Sequence, residues 1–209
     1  MILGYSELDI GRFLTLLFTV LVGLMHVGYG IVSWFFGWDR NKKVRASYQQ
    51  TKQTVLVFFN GFSFALCMLW AMRPAIFAPL DVSAHFHGVQ DILLVGATIV
   101  SIFAVWLLAR SHTDLGKYWS PVLEIREGHR LITTGVYTHI RHPIYTSIFL
   151  LLVSLFFLSF NLVTLVVLVS FSMLYHFRVD DEEKMMIREF GAQYQEYMRK
   201  TRRIIPRLL

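Results

Sequence analysis

The sequence predicts an all-α integral membrane protein of about five transmembrane helices with a cytoplasmic C-terminal helix. Three observations carry that expectation. Of 209 residues, 55% are hydrophobic and only 16% are charged, where an ordinary soluble domain is about 25% charged. The apolar residues fall into runs comparable to the ~20 helical residues that cross a hydrocarbon core of ~30 Å. Basic residues are concentrated: the segments 37–53, 110–143 and 177–209 hold five, five and eight of the 20 Lys and Arg.

Taken in order, Leu14–Phe36 is the first predicted span and Thr54–Leu80 the second, bent or ended near Pro74. Ile92–Leu108 is a slightly short third. From Ile144 to His176, 33 residues contain no Lys, Arg, Asp or Glu, and the polar Ser159 and Asn161 sit near the middle. That length exceeds one ordinary span and fits a tight hairpin of two helices. Helices are the form expected for such runs, because backbone groups in lipid must bond internally. The chain reads as one membrane domain over 1–209, with three spans in 1–109 and a more polar region in 110–209. The beginning lacks the features of a cleaved signal peptide.

Charge sets the expected orientation. With five spans, the three basic segments share one side, while segments 81–91 and 159–161 contain no Lys or Arg. The positive-inside rule makes the basic side cytoplasmic and puts the N-terminus outside, as in a bacterial-type inner membrane. The net charge of +6 then reflects topology and contact with anionic lipids. No nucleic-acid motif accompanies it, so no nucleic-acid partner is expected. A single cysteine, Cys67, rules out an intrachain disulfide framework.

The first 100 residues offer little chemistry. Gly28-Tyr29-Gly30 lies inside a span and reads as close helix packing, and Arg12 and Arg73 as snorkelling to headgroups. His85 and His87 lack a companion carboxylate or cysteine cluster and read as an outer loop, so no metal site is expected.

The region from His112 to Tyr145 is different. Glu127-Gly128-His129 and Thr133-Thr134-Gly135 are expected to make compact turns. Arg141-His142-Pro143 directly precedes the apolar hairpin, with Pro143 suited to the first turn of a helix. Arg141 could bind a carboxylate or sit at the lipid surface, and His142 could meet a cofactor or cap the helix. After the hairpin comes Arg178-Val179-Asp180-Asp181-Glu182-Glu183. A helix is expected from about Asp180 to Lys200, with its acidic residues at the N-terminal end and Met186, Phe190, Tyr194 and Tyr197 on one apolar face. Arg178 and Glu182 are spaced for a pair along the helix. Gly191 interrupts this helix, and close approach to another element would explain it. The hairpin should return both polar stretches to the same membrane face.

These residues resemble the isoprenylcysteine carboxyl methyltransferase family. The matching pieces are Leu115-Gly116-Lys117-Tyr118-Trp119-Ser120, Gly128-His129-Arg130-Leu131, Thr134-Gly135-Val136-Tyr137 and Arg141-His142-Pro143-Ile144-Tyr145. Arg178, Glu182-Glu183, Phe190-Gly191, Tyr194, Tyr197 and Pro206 continue the pattern. The likeness is dense over about 112–206. Ser147 stands where the family commonly has glycine. The resemblance implies a polytopic enzyme that uses S-adenosyl-L-methionine and has no soluble nucleotide-binding domain. It marks His129, Tyr137, His142, Pro143, Tyr145 and Glu183 as cofactor-side candidates. Arg178, Glu182 and Arg141 are the candidates for positioning the reacting group.

The implied reaction is direct methyl transfer to a lipophilic small molecule or lipid. An isoprenylcysteine-like carboxylate is the leading acceptor and an amine-bearing phospholipid the alternative. A nicotinamide-dependent membrane reductase and a non-catalytic lipid-binding protein are the competing classes. The sequence leaves the acceptor and the oligomeric state open.

Overall fold

The computed structural model describes residues 44–47, 62, 65–66, 68–69, 72–120 and 123–204. The predicted span Leu14–Phe36, about half of Thr54–Leu80, and the motif residues Arg12, Gly28-Tyr29-Gly30, Cys67 and Pro206 lie outside the described residues.

The described elements are β1 (Val44–Ser47), α1 (Pro74–Phe77), α2 (Gln90–Leu115), β2 (Glu124–Arg126), α3 (Pro143–Ser159), α4 (Leu162–Phe190) and α5 (Ala192–Lys200). Short 3-10 turns lie at Ala78–Leu80, Ser83–Phe86, Gly116–Tyr118 and Gly135–Thr138. The protein is largely helical. The all-α expectation holds, with the addition of one small antiparallel sheet in which β1 pairs with β2 through a bulge between Val44 and Ala46.

Two helical segments, Gln90–Tyr118 and Leu162–Phe190, are long and apolar enough to cross a membrane, while α3 has 17 residues. The described residues thus carry two such helices and not five. Exposed apolar side chains recur at helical spacing on α2 (Ile92, Val95, Ile99, Ile102, Trp106) and on α4 (Leu162, Val166, Val169, Met173, Phe177). Such continuous stripes are what a lipid-facing surface requires and are rare on soluble monomers.

Helix α2 outruns its predicted Ile92–Leu108 at its C-terminal end. Its last turns are polar, but the Ser111 hydroxyl donates to the Leu107 carbonyl at 2.6 Å and the Thr113 hydroxyl to the Ala109 carbonyl at 2.9 Å. These side chains bond their own helix and do not compete with it. The helix ends at Gly116, whose φ of 53° belongs to a region that side chains disfavour.

Helices α2 and α3 pack on small residues. Ala97, Ser101, Ala104, Leu108 and Ser111 form the buried stripe of α2, and Ser147, Leu151, Ser154 and Leu158 that of α3. Small residues let two backbones approach closely, the usual basis of helix packing where the surroundings are as apolar as the side chains. Ser147, in place of the family's glycine, is fully buried and donates to the Ile144 carbonyl at 2.7 Å. Its extra hydroxyl is therefore satisfied within α3.

The predicted hairpin forms, and its turn falls at the polar residues. Phe160 takes the left-handed conformation with φ 45°. Asn161 caps α4 by accepting from the Val163 amide at 3.0 Å, and its amide nitrogen donates to the Phe77 carbonyl at 3.1 Å. Asp81 and Asn161 form an isolated bridge, so the two segments free of basic residues meet at this end. At the opposite end, 44–47 pairs with 124–126, and the Arg141 and His142 amides donate to the carbonyls of Arg202 and Arg203. The three basic segments therefore also meet.

No new helix starts at Asp180. Helix α4 runs unbroken from Leu162 to Phe190, about 43 Å at 1.5 Å per residue, so its acidic residues lie well inside it, away from the N-terminal dipole. Its apolar stretch ends at Phe177, and the polar continuation passes beyond it. Gly191 ends the helix with φ 51° and ψ −126°. A side chain there would meet nothing within 4 Å, so its purpose is backbone conformation and not close approach. Tyr194 and Tyr197 are buried, with rings 5.9 Å apart.

Candidate active site

The polar continuation of α4, the start of α3 and the chain after α5 converge on one carboxylate. Glu183 is 3% exposed. Its Oε1 lies 3.0 Å from Arg141 Nε and 3.2 Å from His142 Nε2. Its Oε2 accepts from Arg203 Nε at 3.1 Å, and Arg203 also reaches Asp180 Oδ1 at 2.7 Å. Burial opposes ionisation of Glu183, but the hydrogen bonds from His142 and Arg203, with the charge of His142 and the bond from Arg141, hold its carboxyl at about 2. A buried carboxylate is tolerable only when matched in this way.

Arg141 is committed inside the fold. Besides Glu183, its guanidinium donates to the Met198 and Thr201 carbonyls. His142 precedes α3 and Pro143 occupies the first helical position, as expected of the Arg-His-Pro order. The Thr146 hydroxyl donates to the Ile204 carbonyl at 2.6 Å.

A second chain of polar groups runs beside the first. The Tyr145 hydroxyl donates to Glu182 Oε2 at 2.8 Å and accepts from Arg178 Nε at 2.8 Å. Arg178 and Glu182 are therefore joined through Tyr145, where the sequence suggested a direct pair. The Glu182 side chain is 24% exposed, six times as open as that of Glu183 at 4%. The Tyr145 ring stacks on His142 with centroids 5.8 Å apart.

The loop from α2 to α3 completes the site. His129 has its ring 5.3 Å from that of Tyr118 and 6.0 Å from that of Phe190. Burial pushes its imidazole pKa below the ordinary value, with Glu189 opposing. Gly128 has φ 78° and the His129 amide donates to the Arg126 carbonyl, the compact turn expected there. The Tyr137 carbonyl accepts from the buried Tyr197 hydroxyl at 2.6 Å. Burial raises the phenol pKa of both tyrosines. Phe190 stands seven residues after Glu183, on nearly the same face of α4 and about 10 Å along it.

Residues 94–188 match the isoprenylcysteine carboxyl methyltransferase family. Over that segment the chain carries the pattern of this family. The family uses S-adenosylmethionine and acts on lipophilic substrates. All nine residues singled out in the sequence as site candidates fall within the matched segment, whereas Phe190, Tyr194, Tyr197 and Arg203 fall after it. The chain is also similar to the nickel-cobalt-cadmium resistance protein NccN of Alcaligenes xylosoxydans xylosoxydans, with 25% identity over 159 residues, covering 66% of this chain and 74% of the relative. Among the described residues no group of three His, Cys, Asp or Glu is placed to hold a metal ion.

The methyltransferase-like segment brings together eight of the nine candidates: Arg141, His142, Pro143, Tyr145, Arg178, Glu182 and Glu183 at the helix ends, and Tyr137 through Tyr197 and α5. His129 stands apart, with Phe190. Sequence reasoning missed Arg203, Asp180 and Asp114. The first two were legible only as members of charge runs, and nothing local marks Arg203 as the partner of Glu183. Asp114 accepts from the Val136 amide at 2.9 Å, and its signal was its place just before Gly116 in the matching motif.

Proposed function

We propose that this chain transfers a methyl group from S-adenosylmethionine to a lipophilic acceptor whose reacting group is a carboxylate, with an isoprenylcysteine-like molecule as the leading case. The supporting observation is the pairing of two unlike carboxylates where α4 runs past its apolar stretch. Glu183 is buried and neutralised, while its neighbour Glu182 is part-exposed and tethered by Tyr145.

The donor set fits the cofactor. When bound, S-adenosylmethionine supplies an electrophilic methyl on a cationic sulfonium. Glu182 and Tyr145 offer negative potential to a cation, His142 and Pro143 shape the wall beside them, and the Tyr118, His129 and Phe190 rings offer an aromatic surface. The ~10 Å between Phe190 and Glu183 along α4 suits a ligand with an aromatic base at one end and an amino acid at the other. Glu183 acts here through the His142 ring that it fixes, and Tyr137 through its carbonyl, held by Tyr197.

Arg178 orients the acceptor. Its Nε is held by Tyr145, and it follows the exposed Phe177 on the apolar face. A carboxylate is already ionised at neutral pH, so the site has no proton to remove. It must align the two reactants, which supplies much of the rate, and exclude water from the carboxylate.

The same reading carries five spans, the N-terminus outside and the C-terminus cytoplasmic, in a bacterial-type inner membrane. The meeting of the three basic segments at one end supports it. Full-length protein in detergent or nanodiscs, incubated with methyl-labelled S-adenosylmethionine and lipid extract, should bind the cofactor and label a lipophilic product that mild alkali releases as methanol. Absence of cofactor binding by folded protein defeats the proposal. An alkali-stable product transfers the reaction to an amine acceptor.

A further inference from the structure

We infer that the chain after α5 is part of the active site and that Arg203 is a positioning residue for cofactor binding, acting through Glu183 on His142. This rests on the methyltransferase reading above and adds to it a residue outside the family-matched segment, which ends at 188.

The segment is built in by its backbone. Arg202 accepts from the Arg141 amide at 2.8 Å and donates to the His139 carbonyl at 3.1 Å, and Arg203 accepts from the His142 amide at 3.1 Å. Ile140 and Arg202 form a parallel bridge. With Thr146 bonded to Ile204, residues 202–204 lie along the Arg-His-Pro segment like an added strand.

The side chain of Arg203 then closes the ion cluster. Glu183 has two oxygens and each faces its own partners. Arg141 and His142 meet Oε1, while Arg203 donates to Oε2 through both Nε and Nη2. Asp180 anchors Arg203 from one helical turn earlier on α4. Without Arg203, Oε2 loses both of these bonds, and a buried charged acceptor left without a partner among the described residues is costly. The carboxylate would rotate toward Arg141 and release His142 from its 3.2 Å contact. Arg203 touches neither reactant in this scheme. Its effect reaches the cofactor only because Glu183 fixes the ring that lines it.

The test uses the full chain in nanodiscs and measures S-adenosylmethionine affinity, melting temperature and single-turnover methyl transfer. Arg203→Gln is expected to weaken cofactor binding about tenfold while changing the turnover of saturated enzyme less than threefold. Arg203→Lys should recover part of the affinity through one charged bond. Arg202→Gln is the control, since Arg202 is exposed and shares the same backbone seat; its affinity should match wild type. Wild-type affinity in Arg203→Gln overturns the inference and leaves the methyltransferase reading standing. A wild-type protein that is folded but binds no S-adenosylmethionine overturns both. If Arg203→Gln does not fold, Asp180→Asn replaces it: loss of the outer anchor should weaken binding about threefold, and unchanged binding overturns the inference.

Discussion

His142 Nε2 lies 3.2 Å from Glu183 Oε1 across 41 residues of chain, and the length of the α3–α4 hairpin is the reason. About the turn at Phe160 and Asn161, position 142 mirrors position 179, and Glu183 stands one helical turn further along α4. The longer α4 carries its carboxylate past the first turn of α3, where a buried charge can meet Arg141, His142 and Arg203 together. The hairpin thus works as a ruler that sets polar groups from both sides of an uncharged stretch at one level.

Glu183→Gln should leave insertion intact and loosen the site. The amide keeps the shape but leaves the cationic groups around it unmatched, and breaking a buried pair costs about 3 kcal/mol. A lower melting temperature together with weaker cofactor binding is expected. A variant with wild-type melting and affinity would show that the cluster organises nothing.

The same carboxylate predicts a pH dependence. Its pKa is held at about 2 against an ordinary value of 4.5, so the folded state favours its ionised form. This contribution is complete above about pH 4.5 and is lost as the pH falls through about 2, roughly 3 kcal/mol in all. Melting curves of wild type and Glu183→Gln should therefore converge between pH 5 and pH 2. Curves that stay parallel would count against the assignment. The groups facing Glu183 in this comparison are Arg141, His142, Arg203, Glu182 and Tyr194.

Much of this arrangement was legible in the sequence because it rests on spacing. The uncharged run after Arg141-His142-Pro143, with polar residues at its middle, announces a hairpin that returns Glu183 to His142, although the capping role of Asn161 appears only in the structure. The start of α4 was misplaced because charge at Asp180 looks like a helix beginning, whereas a helix that leaves an apolar layer needs no new start. Gly191 interrupts the helical pattern as a packing glycine would, but its φ of 51° with open space around it is a purely backbone demand that composition does not reveal. Arg203 was hidden among the basic residues of the C-terminal segment. Only the tertiary pairing of 202–204 with 139–142 separates it from arginines that face solvent.

Gly135→Ala should damage the turn that carries Tyr137. Gly135 has φ 61°, and an added Cβ would stand 2.0 Å from Asp114 Oδ2. The strain and the clash together should cost more than the ~1 kcal/mol of conformational preference alone. Asp114→Ala relieves the clash but frees the Val136 amide. The double variant should thus lose less stability than the sum of the two single variants. Strict additivity in this cycle would place the two residues apart.

Arg178→Ala should separate the two reactants. Its guanidinium is held by Tyr145 and lies outside the cluster around Glu183. Cofactor affinity is expected to change less than threefold, while methyl transfer at saturating cofactor falls by about two orders of magnitude, as for loss of a charged group that aligns a reactant. Equal losses in cofactor affinity and turnover would move Arg178 to the cofactor side.

Asn161→Ala tests the other end of the hairpin. Asn161 is 2% exposed and satisfies two backbone groups, the Val163 amide at the start of α4 and the Phe77 carbonyl at the end of α1. Losing the cap costs about 1 kcal/mol, and a buried carbonyl left without its donor costs about another 1–3 kcal/mol. Asn161→Asp keeps the acceptor for Val163 but replaces the donor to Phe77 with a second oxygen, so it should not restore stability, whereas a cap-only role predicts that it would. Both variants should retain wild-type cofactor affinity when folded, because the turn and the ion cluster lie at opposite ends of α3. A change in affinity with unchanged melting would mean that the turn governs the site directly.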